Sequence, residues 1–154
     1  MSGKLAAELR QSKPFASVEE EALLNLARTY GFIQQQMAEF FKQFQLTPTQ
    51  YNILRILRGA GRDGVTCSQA AERMVTADPD VTRLLDRLER AGLARRSRLK
   101  QDRRVVQARI TPKGLNLLAE LDRPMIELID RTLGHMPDAR LKALIALLEE
   151  ARKA

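Results

Sequence analysis

The sequence predicts a mainly α-helical protein with one small β-hairpin. Most apolar residues recur at helical spacing, and a helix-capping pattern precedes most of these runs. A single segment, residues 94–110, has a strand-like pattern instead. The chain has 154 residues, 44% of them hydrophobic, which is enough to bury a core. Aromatic residues make up only 5% and Trp is missing, so aliphatic side chains must fill that core.

Three helices are predicted to begin at a capping box. In this motif a Ser or Thr hydroxyl and a Glu or Gln side chain three residues later satisfy free backbone N–H groups. The three pairs are Ser17 with Glu20, Thr47 with Gln50, and Thr66 with Gln69. The apolar spacing extends the first helix over residues 17–44, ends the second at Gly59 and the third at Met74.

A fourth helix and the hairpin follow. Asp78 before Pro79 is interpreted as the N-cap of the fourth helix, which ends at Gly92. Its buried stripe consists of Val81, Leu84, Leu85 and Leu88. The segment 94–110 then predicts a two-stranded hairpin with its tip near residues 99–103.

The carboxyl-terminal part is predicted to be helical again. Thr111 and Pro112 open a fifth helix, which Pro124 is expected to kink, and Pro137 opens a sixth. We expect a dimerisation helix at 1–45, a compact middle domain at 46–112 and dimerisation helices at 113–154. The first, fifth and sixth helices carry more apolar residues than a two-stranded sheet covers, which favours a homodimer over the alternative of a compact monomer.

The charge is concentrated in the hairpin. The chain has 26 Lys plus Arg against 19 Asp plus Glu, a net charge of +7, which favours a polyanionic partner such as nucleic acid or an anionic membrane surface. Seven basic residues and one acid lie between Arg95 and Arg109, so this segment supplies +6 of the +7. If these arginines served only to keep the protein soluble, the excess positive charge would not need to be confined to residues 95–109. Because no apolar stretch of about 18 residues occurs, we expect no membrane span.

Two short helices joined by a turn and followed by a basic hairpin, or wing, predict a winged helix-turn-helix. The second helix of such a pair enters the major groove of double-stranded DNA, and a basic wing lies along the phosphates. The candidate DNA-binding residues are Ser68, Gln69, Pro79, Asp80, Thr82, Arg83, Arg87, Arg96, Arg98, Lys100, Asp102, Arg103 and Arg104.

Two candidates have competing interpretations. Asp80 either favours the helix dipole or accepts a hydrogen bond from a cytosine amino group. For Arg90, an ion pair with Asp86 at four-residue spacing is favoured over a phosphate contact.

The residues resemble the multiple antibiotic resistance regulator (MarR) family. The resemblance runs through VTRLLDRLERAGL at 81–93, DRR at 102–104 and ITPKG at 110–114, with Ala108 and Ile110 where Val and Leu are commoner. It implies a homodimeric, ligand-responsive repressor that binds a pseudo-palindromic operator, with Asp102 orienting Arg104 or Arg103 into the minor groove. It also implies a small lipophilic or aromatic acid effector, for which the candidate lining residues are Tyr30, Met37, Phe40 and Phe41; packing in the core or in the dimer interface is the alternative for these.

The sequence does not have the residues of an enzyme. His135 is the only histidine and Cys67 the only cysteine, and they are far apart, so neither a metal site nor a nucleophile with its base is predicted. No cofactor is expected, and Cys67 is interpreted as a small helix-start residue rather than a redox sensor. No signal peptide is evident in residues 1–15, which favours a cytoplasmic location. A winged-helix module for protein or RNA assembly is the alternative function.

Overall fold

The computed structural model describes residues 4–78 and 80–153. By its internal contacts the chain divides into two compact units, Met1–Tyr51 and Asn52–Ala154. The helices are α1 (Leu5–Glu8), α2 (Val18–Lys42), α3 (Pro48–Ala60), α4 (Cys67–Glu72), α5 (Val81–Arg90), α6 (Pro112–Leu133) and α7 (Asp138–Ala151). The strands are β1 (Val65–Thr66), β2 (Ala94–Arg98) and β3 (Val106–Ile110). The predicted order of four helices, a hairpin and two helices is confirmed, with two short additions, α1 and β1.

The first unit is built on α2. Ser17 caps this helix by accepting a hydrogen bond from the backbone N–H of Glu20, as predicted. The return half of the predicted capping box does not form, because the Glu20 side chain accepts from the N–H of Ala16 instead of Ser17. At the far end, Phe40 packs edge-on against Phe41, and Phe41 lies 4.5 Å from Tyr51 between ring centroids. Phe41 is 1% exposed, so this aromatic cluster forms the core of the unit.

The predicted capping boxes at α3 and α4 are complete. The Thr47 hydroxyl accepts from the N–H of Gln50, and the Gln50 side chain accepts in return from the N–H of Thr47. Thr66 and Gln69 exchange the same pair of hydrogen bonds. Local sequence therefore fixes both helix starts. Helix α4 ends at Glu72, two residues before the predicted end at Met74.

The start of α5 differs from the prediction. Asp80, not Asp78, is the N-cap, because its Oδ1 accepts a hydrogen bond from the N–H of Arg83 at 3.0 Å. Asp78 instead accepts from the N–H of Asp80, two residues along the chain, at 2.8 Å. The predicted N-cap at Asp78 was therefore wrong. Pro79, predicted to open the helix and to contact DNA, lies outside the described residues.

The sheet has three antiparallel strands in the order β1–β3–β2, rather than the two predicted. The extra strand pairs Val65 with Ala108. Gly64 allows this pairing, because a Cβ at its position would lie 2.6 Å from the carbonyl oxygen of Ala108. Its φ of +71° is also one that glycine adopts readily.

The carboxyl-terminal helices present many apolar side chains to solvent. Thr111 caps α6 by accepting from the N–H of Gly114, as predicted, and the helix continues through Pro124. None of the 14 residues of α7 is buried. Several large apolar residues on these helices are about half to two-thirds exposed: Ile126, Ile129, Ile145 and Leu147. Among the described residues, no helix is both long enough and apolar enough to span a membrane.

Candidate DNA-binding site

Helix α5 has one buried and one exposed face. Val81, Leu84, Leu85 and Leu88 are all buried, as the apolar stripe predicts. Thr82, Arg83 and Arg87 face solvent, and on α4 the candidates Ser68 and Gln69 are exposed as well. The exposed face of α5 therefore carries a hydroxyl and two guanidinium groups that are accessible to a base edge or a phosphate.

Asp80 holds the first of those guanidinium groups. Its Oδ2 lies 3.0 Å from the Nε of Arg83, while its Oδ1 caps the helix through the Arg83 backbone. The Arg83 side chain is 77% exposed, so its two Nη groups still face solvent. The Asp80 carboxylate thus has two local functions, a helix cap and an ion pair.

The strand register separates the hairpin residues into two faces. Residues that stand opposite each other in an antiparallel pair share a face, and neighbours along a strand alternate. Arg95 opposite Arg109 and Ser97 opposite Gln107 therefore lie on one face. Arg96 lies on the other face, opposite the buried Ala108.

Arg96 connects the hairpin to α5. Its backbone N–H donates to Glu89 Oε1 at 2.9 Å, its Nε donates to Glu89 Oε2 at 3.0 Å, and its Nη2 donates to Asp86 Oδ1 at 2.5 Å. The backbone and guanidinium hydrogen bonds from Arg96 lower the pKa of Glu89, and the Glu89 carboxylate in turn raises the pKa of Arg96. Asp86 pairs with Arg96 and, within the described residues, not with Arg90, so the predicted Arg90–Asp86 pair was wrong.

The tip of the wing is a compact turn with exposed charge. Asp102 Oδ1 accepts a hydrogen bond from the backbone N–H of Arg104 at 3.0 Å, and the Leu99 N–H donates to the carbonyl oxygen of Val105. Asp102 therefore shapes the backbone of the turn that carries Arg104. Four cations at or next to the tip are exposed, and the described residues show no ion pair to any of them: Arg98, Lys100, Arg103 and Arg104.

Arg109 has a structural function that the sequence did not indicate. Its guanidinium donates to the carbonyl oxygen of Arg62 at 2.6 Å, to the Ser97 hydroxyl at 2.8 Å and to the Gln107 side chain at 2.8 Å. These contacts join β3 to the loop before β1 and to β2. Because Arg62 is 47 residues away from Arg109, no local sequence pattern could have indicated these hydrogen bonds.

The candidate effector residues differ in exposure. Phe40 and Phe41 are buried in the aromatic cluster, at 8% and 1% exposed, which agrees with the core-packing alternative for these two. Tyr30 is 52% exposed, and Met37 is half-buried. Only Tyr30 and Met37 thus offer accessible surface, and a ligand-binding function for the four stays a prediction.

Comparisons with known proteins agree on one family. The MarR family model matches residues 46–106. A MarR transcription factor of known crystal structure from Planctomyces limnophilus is 43% identical, with a TM-score of 0.69 over 88% of this chain and 98% of that one. The HTH-type transcriptional regulator PecS of Dickeya dadantii is 27% identical over 146 residues, which cover 94% of this chain and 88% of PecS.

A further structural neighbour is Bordetella bronchiseptica BpsR, whose DNA binding is regulated by 6-hydroxynicotinic acid. It is 23% identical, with a TM-score of 0.79 over 92% of this chain and 99% of BpsR, and it supports the fold. The family model covers α3 to α5 and the wing up to Val106, and the Planctomyces relative is similar over 88% of this chain. The chain therefore belongs to the MarR family of DNA-binding transcriptional regulators.

Proposed function

We propose that this regulator works as a homodimer in which each subunit places α5 in a major groove and its wing in the adjacent minor groove. The observation that carries the proposal is the Arg96 contact between β2 and α5, since it joins the basic hairpin to the exposed helix within one unit. Two surfaces held together in this way are suited to gripping one duplex.

The chemistry of each surface suits its groove. Thr82 and Arg83 are in the first turn of α5, where an Arg side chain can donate both Nη groups to guanine O6 and N7. A narrow minor groove concentrates negative potential and favours an inserted arginine, which fits the exposed Arg104 at the wing tip. Arg87, farther along α5, is assigned to the phosphate backbone.

Dimerisation is supported by the apolar side chains left exposed on α2, α6 and α7. Helix α7 has no buried residue of its own, and exposed apolar surface of this extent is typical of an association site. A second copy of the chain is the simplest partner, because oligomers of one chain are most often symmetric dimers. Two-fold symmetry then calls for a pseudo-palindromic operator with half-sites about one helical turn apart.

The regulatory proposal is a repressor that a small lipophilic or aromatic acid releases from the operator. It is supported by BpsR, whose DNA binding responds to such an acid. On this chain, Tyr30 and Met37 are the accessible candidates to contact the acid. A cytoplasmic location follows from the proposed partner, chromosomal DNA.

The test is binding to duplexes selected from a random library, with Arg104→Ala compared to Arg140→Ala on α7. The Arg104 variant should lose at least about tenfold in affinity, the equivalent of one lost minor-groove contact per half-site, while keeping its folded circular dichroism spectrum. The Arg140 variant should bind as the parent does. Equal affinity for single-stranded RNA, or a parent-like Arg104 variant, would favour the protein- or RNA-assembly alternative.

A further inference from the structure

We propose that Arg96 is a positioning residue that fixes the angle of the wing against α5, and that it does not itself contact DNA. The inference rests on the proposed function and identifies how the wing reaches its groove. Arg96 is one of seven basic residues between Arg95 and Arg109, and charge alone does not distinguish it from its neighbours.

The geometry distinguishes it. The guanidinium reaches two carboxylates one turn apart on α5, Asp86 and Glu89, and the Arg96 backbone N–H donates to Glu89 as well. A guanidinium is suited to this because its donors lie in a rigid fork. With the backbone N–H also engaged, the strand itself is held to α5 and not only the side chain.

The exposure of the three side chains supports the same conclusion. The Arg96 side chain is 24% exposed, against 36% for Asp86 and for Glu89, so the cluster is partly screened from solvent. The two carboxylates engage both Nε and Nη2 of Arg96, so a phosphate could contact these two groups only at the cost of their hydrogen bonds. Two carboxylates around one cation also give the cluster a net negative charge, which does not attract a phosphate.

Arg98 provides the contrast. It lies two residues farther along β2, opposite Val106, and it is exposed with no ion pair among the described residues. Because side chains alternate along a strand, Arg98 lies on the same face as Arg96. It is farther along β2 than Arg96, however, and no ion pair joins it to Asp86 or Glu89 among the described residues. The same residue type on the same face therefore has two functions, wing positioning at 96 and phosphate contact at 98.

The test compares Arg96→Ala with Arg98→Ala in the full-length protein on a duplex selected by the parent. Two quantities are measured: the salt dependence of affinity, and footprints that report each groove separately, guanine N7 methylation for the major groove and hydroxyl-radical cleavage for the minor groove. Arg98→Ala should lower the magnitude of the log-log salt slope by about 1.8 for a dimer and leave both footprints in place.

Arg96→Ala should lower the magnitude of the slope by more than the roughly 1.8 of a single contact per subunit, since a displaced wing takes several cations away from their phosphates. It should keep the major-groove protection, lose the minor-groove protection at the wing, and bind at least about tenfold more weakly. A general loss of stability would weaken both protections together, so this selective loss is specific to positioning.

Glu89→Gln is the second variant, chosen because it preserves the size of the side chain and removes only its charge. It should reproduce the selective loss of minor-groove protection. The inference is overturned if Arg96→Ala lowers the slope by only about 1.8 with both footprints in place, as Arg98→Ala does, or if Arg96→Ala and Glu89→Gln both keep the parent footprint. A parent protein that shows no preference for duplex DNA would instead overturn the proposed function.

Discussion

Removal of one wing cation should change the salt dependence of DNA binding by a predictable amount. At or next to the wing tip, each subunit exposes four cations without an ion pair among the described residues, namely Arg98, Lys100, Arg103 and Arg104. If each neutralises one phosphate, a dimer releases counterions from about eight phosphates, and the slope of log affinity against log salt is about −7. Between about 50 and 200 mM salt this slope corresponds to a loss of about 10⁴-fold in affinity.

Lys100→Gln removes one such contact per subunit and should reduce the magnitude of the slope by about 1.8. The loss of affinity over the same salt range then falls to about 10³-fold. Fluorescence anisotropy on a labelled duplex measures both slopes, and Arg140→Gln on α7 is the matched control for the change in net charge. A Lys100→Gln slope equal to that of the parent, or an equal shift in the Arg140→Gln control, would refute this account of the wing.

Three further outcomes are expected. Arg83→Gln should relax base preference at one position in each half-site and cost about 1–3 kcal/mol against the preferred base, which sequencing of selected duplexes measures. Leu147→Glu should shift sedimentation toward monomer because it places a charge on an apolar surface that is 64% exposed in the single chain, whereas Lys142→Glu on the same helix should not. Gly114→Ala should destabilise the fold by about 1–3 kcal/mol in urea denaturation, since the added methyl would collide with the carbonyl of Leu93 and lie 2.7 Å from Ile110. Gly59→Ala, with open space around it, should not destabilise the fold.

The helix starts were predictable because each depends on residues within one turn. The hydroxyls of Ser17, Thr47, Thr66 and Thr111 each cap the helix that the sequence assigned to them. The interaction that fixes each start spans three residues, so the sequence pattern contains all of it. The buried stripe of α5 was predictable for the same reason, since its period is set by the helix itself.

The start of α5 and the third strand were not predictable from local patterns. Asp78 and Asp80 both lie near Pro79, and both can accept a backbone hydrogen bond, so a pattern of residue types does not select between them. Strand β1 consists of Val65 and Thr66 alone, and its partners in β3 are Ala108 and Gln107, more than 40 residues farther along the chain. Two residues are too few to show the apolar–polar alternation of a strand, so only the pairing with β3 identifies β1 as a strand.

The candidate site was predictable as a surface but not residue by residue. The basic hairpin and the exposed face of α5 follow from composition and period. The functions of Arg96 and Arg109 do not, because their partners lie across a turn or in a distant loop. The prediction of an Arg90–Asp86 ion pair was wrong for this reason. Asp86 pairs instead with Arg96, which is ten residues away and binds α5 through three donor groups.

The central claim is that α5 and the wing of one subunit grip the same duplex. The most direct measurement is affinity cleavage from an iron chelate attached to a single cysteine, either Thr82→Cys on α5 or Gln101→Cys on the wing, each in a Cys67→Ser background. The account predicts that both attachments cut within one half-site, in grooves about half a helical turn apart. Cleavage from the α5 attachment alone, or cuts from the wing attachment that map to no fixed position near it, would contradict the claim.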